Sequence, residues 1–315
     1  MTKVFITRGD DSMGEMVDKL SLDRKIPKSS KVFIKPNIRA AGFKRFRKGS
    51  ITNPAMITDL VETLLDLGLE VTVGEGTSSS PLTQRAIENS GIEELRERGI
   101  DVLNLNHAER RRVTVPGSAL GWIDVPLPIL TSDYVISFPV MKTHYMTEVS
   151  LSLKNMVGVL VETEPNRLHC RGIHQSIADI STVLRPDWSI IDASWAMEGF
   201  GPVYGEELRL GVLVGGTDPL AVDVVGARIM GFDPLEIRHL HLAKGKGIGD
   251  FNPEVDGDFT CQRFVKPSEA KKMDFLDRLL ASRLYHFAMC NKLIHNVAFN
   301  QAYHGLKSLI DFFES

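Results

Sequence analysis

The segment from residue 31 to residue 74 changes hydrophobic period twice, which constrains the fold more than any other feature of the sequence. Lys31–Lys35 is a short β-branched and aromatic run that ends at Pro36. Apolar residues then recur at helical spacing, at Met56, Leu60, Leu64 and Leu67. Gly68 ends this helix and Leu69–Gly74 is a second strand. Strand, helix and strand in so short a span predict a right-handed βαβ unit and a parallel sheet.

The same alternation returns along the chain. Strands are predicted near the start and at Asp133–Phe138, Trp188–Asp192 and Leu210–Gly215, with an apolar helix from Thr217 to Met230. We therefore predict an α/β fold, a mostly parallel sheet with flanking helices, for a core of residues 1–265. Residues 266–315 show no strand pattern and predict an amphipathic helical tail. The tail could pack on the core, pair with a second copy in a homo-oligomer, or lie on a membrane surface.

Composition narrows the classes of function. The 315 residues are 43% hydrophobic, which allows a sizeable core, and the formal net charge of −3 does not favour a nucleic-acid partner. The three cysteines, Cys170, Cys261 and Cys290, form no CxxC pair, so no self-contained iron–sulfur cluster is expected. Sparse cysteines and no apolar stretch of membrane-spanning length predict a cytoplasmic protein.

Several charged and polar side chains follow predicted strands. In open α/β sheets ligands bind at the carboxyl ends of the strands, so we expect these side chains to meet at one edge. They are Lys35, Asn37, Glu75, Lys142, His144, Asp192, Glu198 and Asp218.

Two lysines and a histidine, Lys142, His144 and Lys154, lie in apolar sequence, with Asn155 beside the last of them. Such cations need an anionic ligand or a buried carboxylate to balance them. A desolvated lysine loses basicity and then acts as a base or binds an oxyanion. The alternative is that both lysines are internal struts paired with carboxylates such as Asp192 or Glu75.

The segment from Arg167 to His174 contains two histidines and a cysteine. His169 and His174 are five residues apart, so they do not share a helix face, and we predict no metal there. We favour an anion-binding loop that uses Arg167, Arg171 and His174 over a nucleophilic role for Cys170.

Two other features bear on the site. Asp223 lies one turn into an apolar helix, where a carboxylate must be paired or hydrogen-bonded. It is either a strut that holds Lys154 or another site cation, or a catalytic group. The basic loop after the Lys35 strand is either solvated or a mobile lid over an anionic substrate. Its cations are Arg39, Lys44, Arg45, Arg47 and Lys48. No glycine-rich nucleotide fingerprint is complete.

Many short motifs together resemble the DUF362 family over most of residues 1–250. In chain order they are Ile34-Lys-Pro-Asn37, Asn53-Pro54, Gly74-Glu-Gly76, Pro139-Val-Met-Lys-Thr-His144, Ser152-Leu-Lys-Asn155, His174, Asp179, Ile191-Asp192, Met197-Glu-Gly199, Gly201-Pro202 and Asp218-Pro-Leu-Ala-Val-Asp223. The resemblance implies no settled activity. Many similar chains also have a ferredoxin-like segment with two four-iron clusters, which implies redox work. This sequence departs from them because its three cysteines cannot supply such clusters.

Three functions remain open. The first is an enzyme that performs acid–base chemistry on a small anionic substrate, carboxylated or phosphorylated, with Lys142, Lys154 or His144 as proton carriers. Asp192, Glu198 and Asp223 would tune the pKa values of these groups and orient the substrate. The second is an oxidoreductase fed by an external ferredoxin or other donor; the third is a non-catalytic metabolite binder. We name no cofactor. The predicted substrate-binding residues are Lys35, Asn37, Glu75, Asn155, Arg171, His174, Glu198 and Asp218.

Overall fold

The structure is a computed structural model that describes residues 2–9, 12–43, 46–162 and 164–270. The strands are β1 Lys3–Arg8, β2 Lys31–Pro36, β3 Glu70–Glu75, β4 Asp101–Asn104, β5 Arg110–Val115, β6 Gly121–Pro126, β7 Tyr134–Phe138, β8 Val140–His144, β9 Glu148–Ser150, β10 Trp188–Glu198, β11 Glu206–Gly216 and β12 Glu254–Asp256. The helices are α1 Ser12–Leu20, α2 Leu22–Lys25, α3 Pro54–Asp66, α4 Ser80–Ser90, α5 Glu94–Glu97, α6 Leu127–Leu130, α7 Ser152–Asn155, α8 Glu164–Cys170, α9 Ile173–Ile180, α10 Pro219–Ile229 and α11 Arg238–Gly245. Short 3-10 turns lie at Arg39–Gly42, Lys48–Ser50, Leu105–His107 and Met156–Val159.

One large sheet organises the molecule. Its strand order is β12-β1-β11-β10-β7-β2-β3-β4, with β8 paired to β10 and β9 paired to β8, while β5 and β6 form a separate hairpin. Neighbours from β10 through β7, β2 and β3 to β4 are parallel. Helices cover both faces, because α1, α3 and α4 contribute to one apolar cluster and α9, α10 and α11 to the other. The predicted α/β class with a mostly parallel sheet is confirmed.

The direction of β11 differs from that of the central strands. It pairs antiparallel with both β10 and β1, and its last residue, Gly216, lies opposite Ser189 near the start of β10. The end of β11 therefore lies at the amino edge of the parallel strands. The expectation that all the polar strand ends share one edge does not hold for Asp218, which follows β11.

Helices α3 and α10 begin with the same kind of side-chain cap. Asn53 Oδ1 accepts a hydrogen bond from the backbone N–H of Ala55 at the start of α3. Asp218 Oδ1 accepts from the backbone N–H groups of Leu220 and Ala221 at the start of α10. In each helix a proline follows the cap, where its missing N–H removes no helical bond.

Most of the predicted tail lies outside the described residues, which end at 270. The boundary at 265 and the homo-oligomer through tail helices stay predictions. Among the residues that the structure describes, no helix is long and apolar enough to cross a membrane.

Candidate functional site

A buried ion pair marks the carboxyl ends of β2 and β3. Lys35 Nζ lies 2.5 Å from Glu75 Oε1, and each side chain is 1% exposed. Lys35 Nζ also donates to the Pro36 carbonyl at 2.6 Å, and Glu75 Oε2 accepts from the Ile38 backbone N–H at 2.9 Å. Burial lowers the pKa of Lys35, although the Glu75 charge opposes that shift. The Glu75 carboxylate is thus already engaged by protein groups.

A chain of amide hydrogen bonds joins this ion pair to Lys142 on β8. Lys142 Nζ donates to Asn37 Oδ1 at 2.8 Å and to the Ser50 carbonyl at 2.6 Å. Asn37 Nδ2 donates to Asn155 Oδ1 at 3.2 Å, and Asn155 Nδ2 donates to the Lys35 carbonyl at 2.8 Å. Residues from β2, β8 and α7 therefore form one connected polar network at this edge of the sheet.

Lys142 is a buried amine with no carboxylate among its hydrogen-bond partners. Burial first, and then the charges of Lys154 and Arg39, hold the pKa of Lys142 well below its ordinary value. A neutral amine has two N–H donors and one lone pair. The two oxygens that Lys142 contacts match two donors, so the lone pair of the neutral form stays available as a base.

His144, at the end of β8, is likewise buried. Burial, followed by the charges of Lys154 and His169, keeps its pKa well below the ordinary value. Its Nδ1 accepts a hydrogen bond from the Met146 backbone N–H at 3.1 Å. A neutral ring that accepts at Nδ1 carries its proton on Nε2, so His144 is a potential donor to a substrate oxygen.

Lys154 lies on α7 and is half-buried. Its amine makes no hydrogen bond or ion pair with any residue that the structure describes. Burial and then the Arg39 charge lower the pKa of Lys154 to about 8. Because its charge also acts on Lys142 and His144, this amine belongs to the same electrostatic neighbourhood.

Asp223 positions the backbone around Lys154. Its Oδ1 and Oδ2 accept hydrogen bonds from the backbone N–H groups of Ser152 and Leu153, at 2.7 and 2.9 Å. Burial raises the pKa of Asp223 to about 8, while these two amide hydrogen bonds oppose the shift. The sequence suggested that Asp223 holds the Lys154 amine; the structure shows instead that it holds the start of the helix that carries Lys154.

Four other predicted site residues form hydrogen bonds with backbone groups. Asp192 is buried and accepts from the N–H groups of Asn53 and Ser194, so it fixes the entry to α3. Glu198 accepts from the Val265 N–H, and exposed Arg171 donates to the Ala119 carbonyl. Asp218 caps α10 at the opposite edge of the sheet.

His174 adjoins the cluster from α9. It is half-buried, and its pKa is lowered by burial first and then by the charge of Arg238, while a hydrogen bond with the Met146 backbone opposes the shift. The structure thus joins eight of the predicted residues through hydrogen bonds, an ion pair or the action of the Lys154 charge. They are Lys35, Asn37, Glu75, Lys142, His144, Lys154, Asn155 and His174.

Comparison with known proteins identifies the family. The model of a family described as "Domain of unknown function (DUF362)" matches residues 32–228. The chain belongs to the DUF362 family. The match runs from β2 into α10 and so includes each of the eight joined residues.

One curated relative of this DUF362 chain is the "Thylakoid-associated protein sll1697" of Synechocystis sp., which is 22% identical over 272 residues, 82% of this chain and 83% of the relative. The cytoplasmic location expected from the sequence therefore stays a prediction. A structural match to the lactate racemase apoprotein of Thermoanaerobacterium thermosaccharolyticum has a TM-score of 0.43 at 10% identity. It covers 73% of this chain and 57% of that structure, and we draw no functional argument from it.

Sequence reasoning missed two basic residues beside this cluster. Arg39 appeared only as part of a basic loop, yet its charge acts on Lys142, His144 and Lys154. His239 on α11 gave no signal, because its position beside His174 arises from the packing of two distant helices. His239 also lies outside the range of the family match.

Two other cations of the basic loop, Arg47 and Lys48, contact a different part of the molecule from Arg39. Arg47 forms an ion pair with Glu206, and Lys48 lies over the Trp195 ring, so both face the β10–β11 hairpin. Lys44 and Arg45 lie outside the described residues, and the lid hypothesis stays a prediction. Within the described ranges, no group of three or more His, Cys, Asp or Glu side chains is placed to hold a metal ion.

Proposed function

We propose that this DUF362 chain is an enzyme that performs acid–base chemistry on a small anionic substrate, with Lys154 as a proton carrier. The observation that carries the proposal is the Lys154 amine itself. It is a half-buried amine without a hydrogen-bond or ion-pair partner among the described residues, and the Glu75 carboxylate that acts on the neighbouring Lys142 is engaged by Lys35.

The charge balance supports an anionic ligand. The Arg39 and Lys154 charges both lower the pKa values of Lys142 and His144, and besides burial the Arg39 charge lowers the pKa of Lys154. A desolvated ammonium group without a counterion, such as that of Lys154, is costly. A carboxylate or phosphate bound beside it would relieve that cost.

The protonation states support proton transfer. Near pH 8 roughly half of the Lys154 amines are neutral, so this group can both accept and return a proton close to neutrality. The lowered pKa of Lys142 favours the neutral amine, whose lone pair is available, and His144 carries a proton on Nε2. The site therefore offers candidate bases and a candidate proton donor on β8 and α7.

The experiment is a turnover screen in D2O. The purified chain is incubated at pH 8 with small carboxylates and phosphate monoesters, and proton NMR detects both conversion and exchange of carbon-bound protons. We expect a compound that is transformed by the wild type and at least about 100-fold more slowly by Lys154→Met. Lys28→Met, which changes an exposed lysine in a turn, is the matched control and should be unaffected.

The non-catalytic alternative gives a different result in the same screen. Ligands that raise the melting temperature but are recovered unchanged, with no exchange, would contradict the enzyme and support a metabolite binder. Activity that appears only with added reduced ferredoxin would favour the oxidoreductase instead. The ferredoxin partner stays a prediction.

A further inference from the structure

Buried polar atoms without partners concentrate near Lys154. Among the described residues, His174 Nδ1 and both ring nitrogens of His239 are buried and make no hydrogen bond. His239 is 0% exposed. A neutral imidazole has one donor and one acceptor, and leaving either unsatisfied in the interior is unfavourable. Such a concentration points to a polar group that the protein alone does not supply.

The two histidines converge from equivalent positions on two helices. Each is the second residue of its helix, α9 or α11, and the ring centroids are 5.7 Å apart. Helical side chains lean toward the helix N-terminus, so both rings lie near positive helix ends. The residues before these helices, Gly172 and Ile237, provide no side-chain cap.

The surrounding charges are positive. The Lys154 charge acts on both His174 and His239, and the Arg238 charge acts on His174. The carboxylate of Asp179, on the same helix as His174, is engaged by Lys246 at 2.8 Å and by Gln175 at 2.8 Å. A negative group is therefore favoured between the rings and the Lys154 amine.

We propose that His174, His239 and Lys154 form an oxyanion subsite that receives a phosphate or carboxylate group of the substrate. The inference deepens the proposed function and rests on it, since Lys154 belongs to both. The oxyanion accepts hydrogen bonds from a His239 N–H and from the Lys154 ammonium. His174 is held by its hydrogen bond with the Met146 backbone, and its Nδ1 takes up a proton to become a third donor.

A metal ion fits these observations less well. Paired imidazoles are common ligands of transition metals, but structural and catalytic sites usually have three or four protein ligands. The described residues provide no group of three such ligands. The neighbouring Lys154 and Arg238 would also repel a divalent cation, whereas they attract an oxyanion.

The test uses inorganic phosphate as the probe. Calorimetric titrations in two buffers of different ionisation enthalpy give the dissociation constant and the protons taken up, and nitrogen-15 NMR of wild-type histidine rings reports which rings respond. We expect net proton uptake and shifts of the His174 and His239 rings. His239→Gln and His174→Gln should each weaken phosphate binding by about tenfold or more. His241→Gln changes an exposed histidine on α11, the helix that carries His239, and should leave phosphate binding unchanged.

The outcomes separate this inference from the proposed function. The wild-type NMR titration stands even if a variant fails to fold. If phosphate binding depends on Lys154 but neither ring shifts and both glutamine variants bind normally, the subsite is wrong and the proposed function stands. Zinc or nickel binding at the two rings, with no response to phosphate, would also overturn the subsite. If no small oxyanion binds at all, both proposals fail.

Discussion

Lys142 and Lys154 are both desolvated lysines, but their surroundings give them different properties. Lys142 is 3% exposed and donates to Asn37 and the Ser50 carbonyl, so its amine is oriented and held. Lys154 is half-buried and has no partner among the described residues. At the scale of single residues, the amine that protein groups leave available is the one expected to respond to ligand and to pH.

The pH dependence of anion binding should follow Lys154. Its folded pKa of about 8 means that the amine is charged below this pH and neutral above it. Affinity for inorganic phosphate should therefore fall as pH rises through about 8 in the wild type. The Lys154→Met chain should bind more weakly and lose this fall, as measured by titration calorimetry from pH 6.5 to 9.5. A wild-type profile that is flat across pH 8 would show that Lys154 is not the responsive group.

The free energy of unfolding contributed by Lys154 should increase as pH rises, whereas phosphate affinity decreases. The pKa of Lys154 is lowered in the folded state. Between about pH 8 and the ordinary pKa of a lysine, the unfolded chain therefore binds more protons at this residue than the folded chain does. The free energy of unfolding contributed by this group should rise with pH over that window. Urea unfolding at pH 7.5 and 9.5 should show a larger gain for the wild type than for Lys154→Met. Equal gains would contradict the assignment.

The Lys35–Glu75 pair should be costly to break on one side. Both side chains are almost fully buried, so Lys35→Met leaves an uncompensated carboxylate and should reduce the free energy of unfolding by about 3–5 kcal/mol. The double variant Lys35→Met/Glu75→Gln should recover part of this loss in urea unfolding. Breaking the exposed Arg98–Glu62 pair is the control and should cost under about 1 kcal/mol. A double variant no more stable than Lys35→Met would argue against an uncompensated charge.

At the scale of elements, the short helix α7 depends on Asp223. Asn at this position keeps one acceptor oxygen and places an NH₂ group against the second backbone N–H, so Asp223→Asn should cost about 1–3 kcal/mol of unfolding free energy. It should also weaken phosphate binding, because Lys154 is carried by this helix. Asp218→Asn, at the opposite edge of the sheet, keeps Oδ1 as the cap of α10 but places an NH₂ group against the Asp250 backbone N–H. That variant should lose stability but keep phosphate affinity.

The sequence predicted individual elements better than their directions. β2, β3, β7, α3 and α10 lie close to where hydrophobic period and capping residues placed them. A buried apolar run such as Leu210–Gly215 has the same pattern in either direction, so the antiparallel pairing of β11 could not be inferred. That reversal is why Asp218 lies away from the site although its local sequence resembles that of Asn53.

At the scale of the whole molecule, the site joins parts that are distant in sequence. Strand-end chemistry predicted Lys35, Asn37, Glu75, Lys142 and His144, because parallel strands bring their carboxyl ends to one edge. The meeting of His174 with His239 depends on how α9 packs against α11. No local pattern records such packing, so this part of the site required the structure.

The fold and the site should survive removal of the chain beyond residue 270. In the part of the chain that the structure describes, the buried apolar residues of both faces run from Val4 to Phe264, and the last strand ends at Asp256. We expect a chain that ends at residue 270 to melt cooperatively and to bind inorganic phosphate with an affinity within about threefold of the full chain. Circular dichroism and calorimetry provide the two measurements. Cooperative melting with lost phosphate binding would place a needed group in the removed segment, whereas loss of melting would move the domain boundary beyond 270.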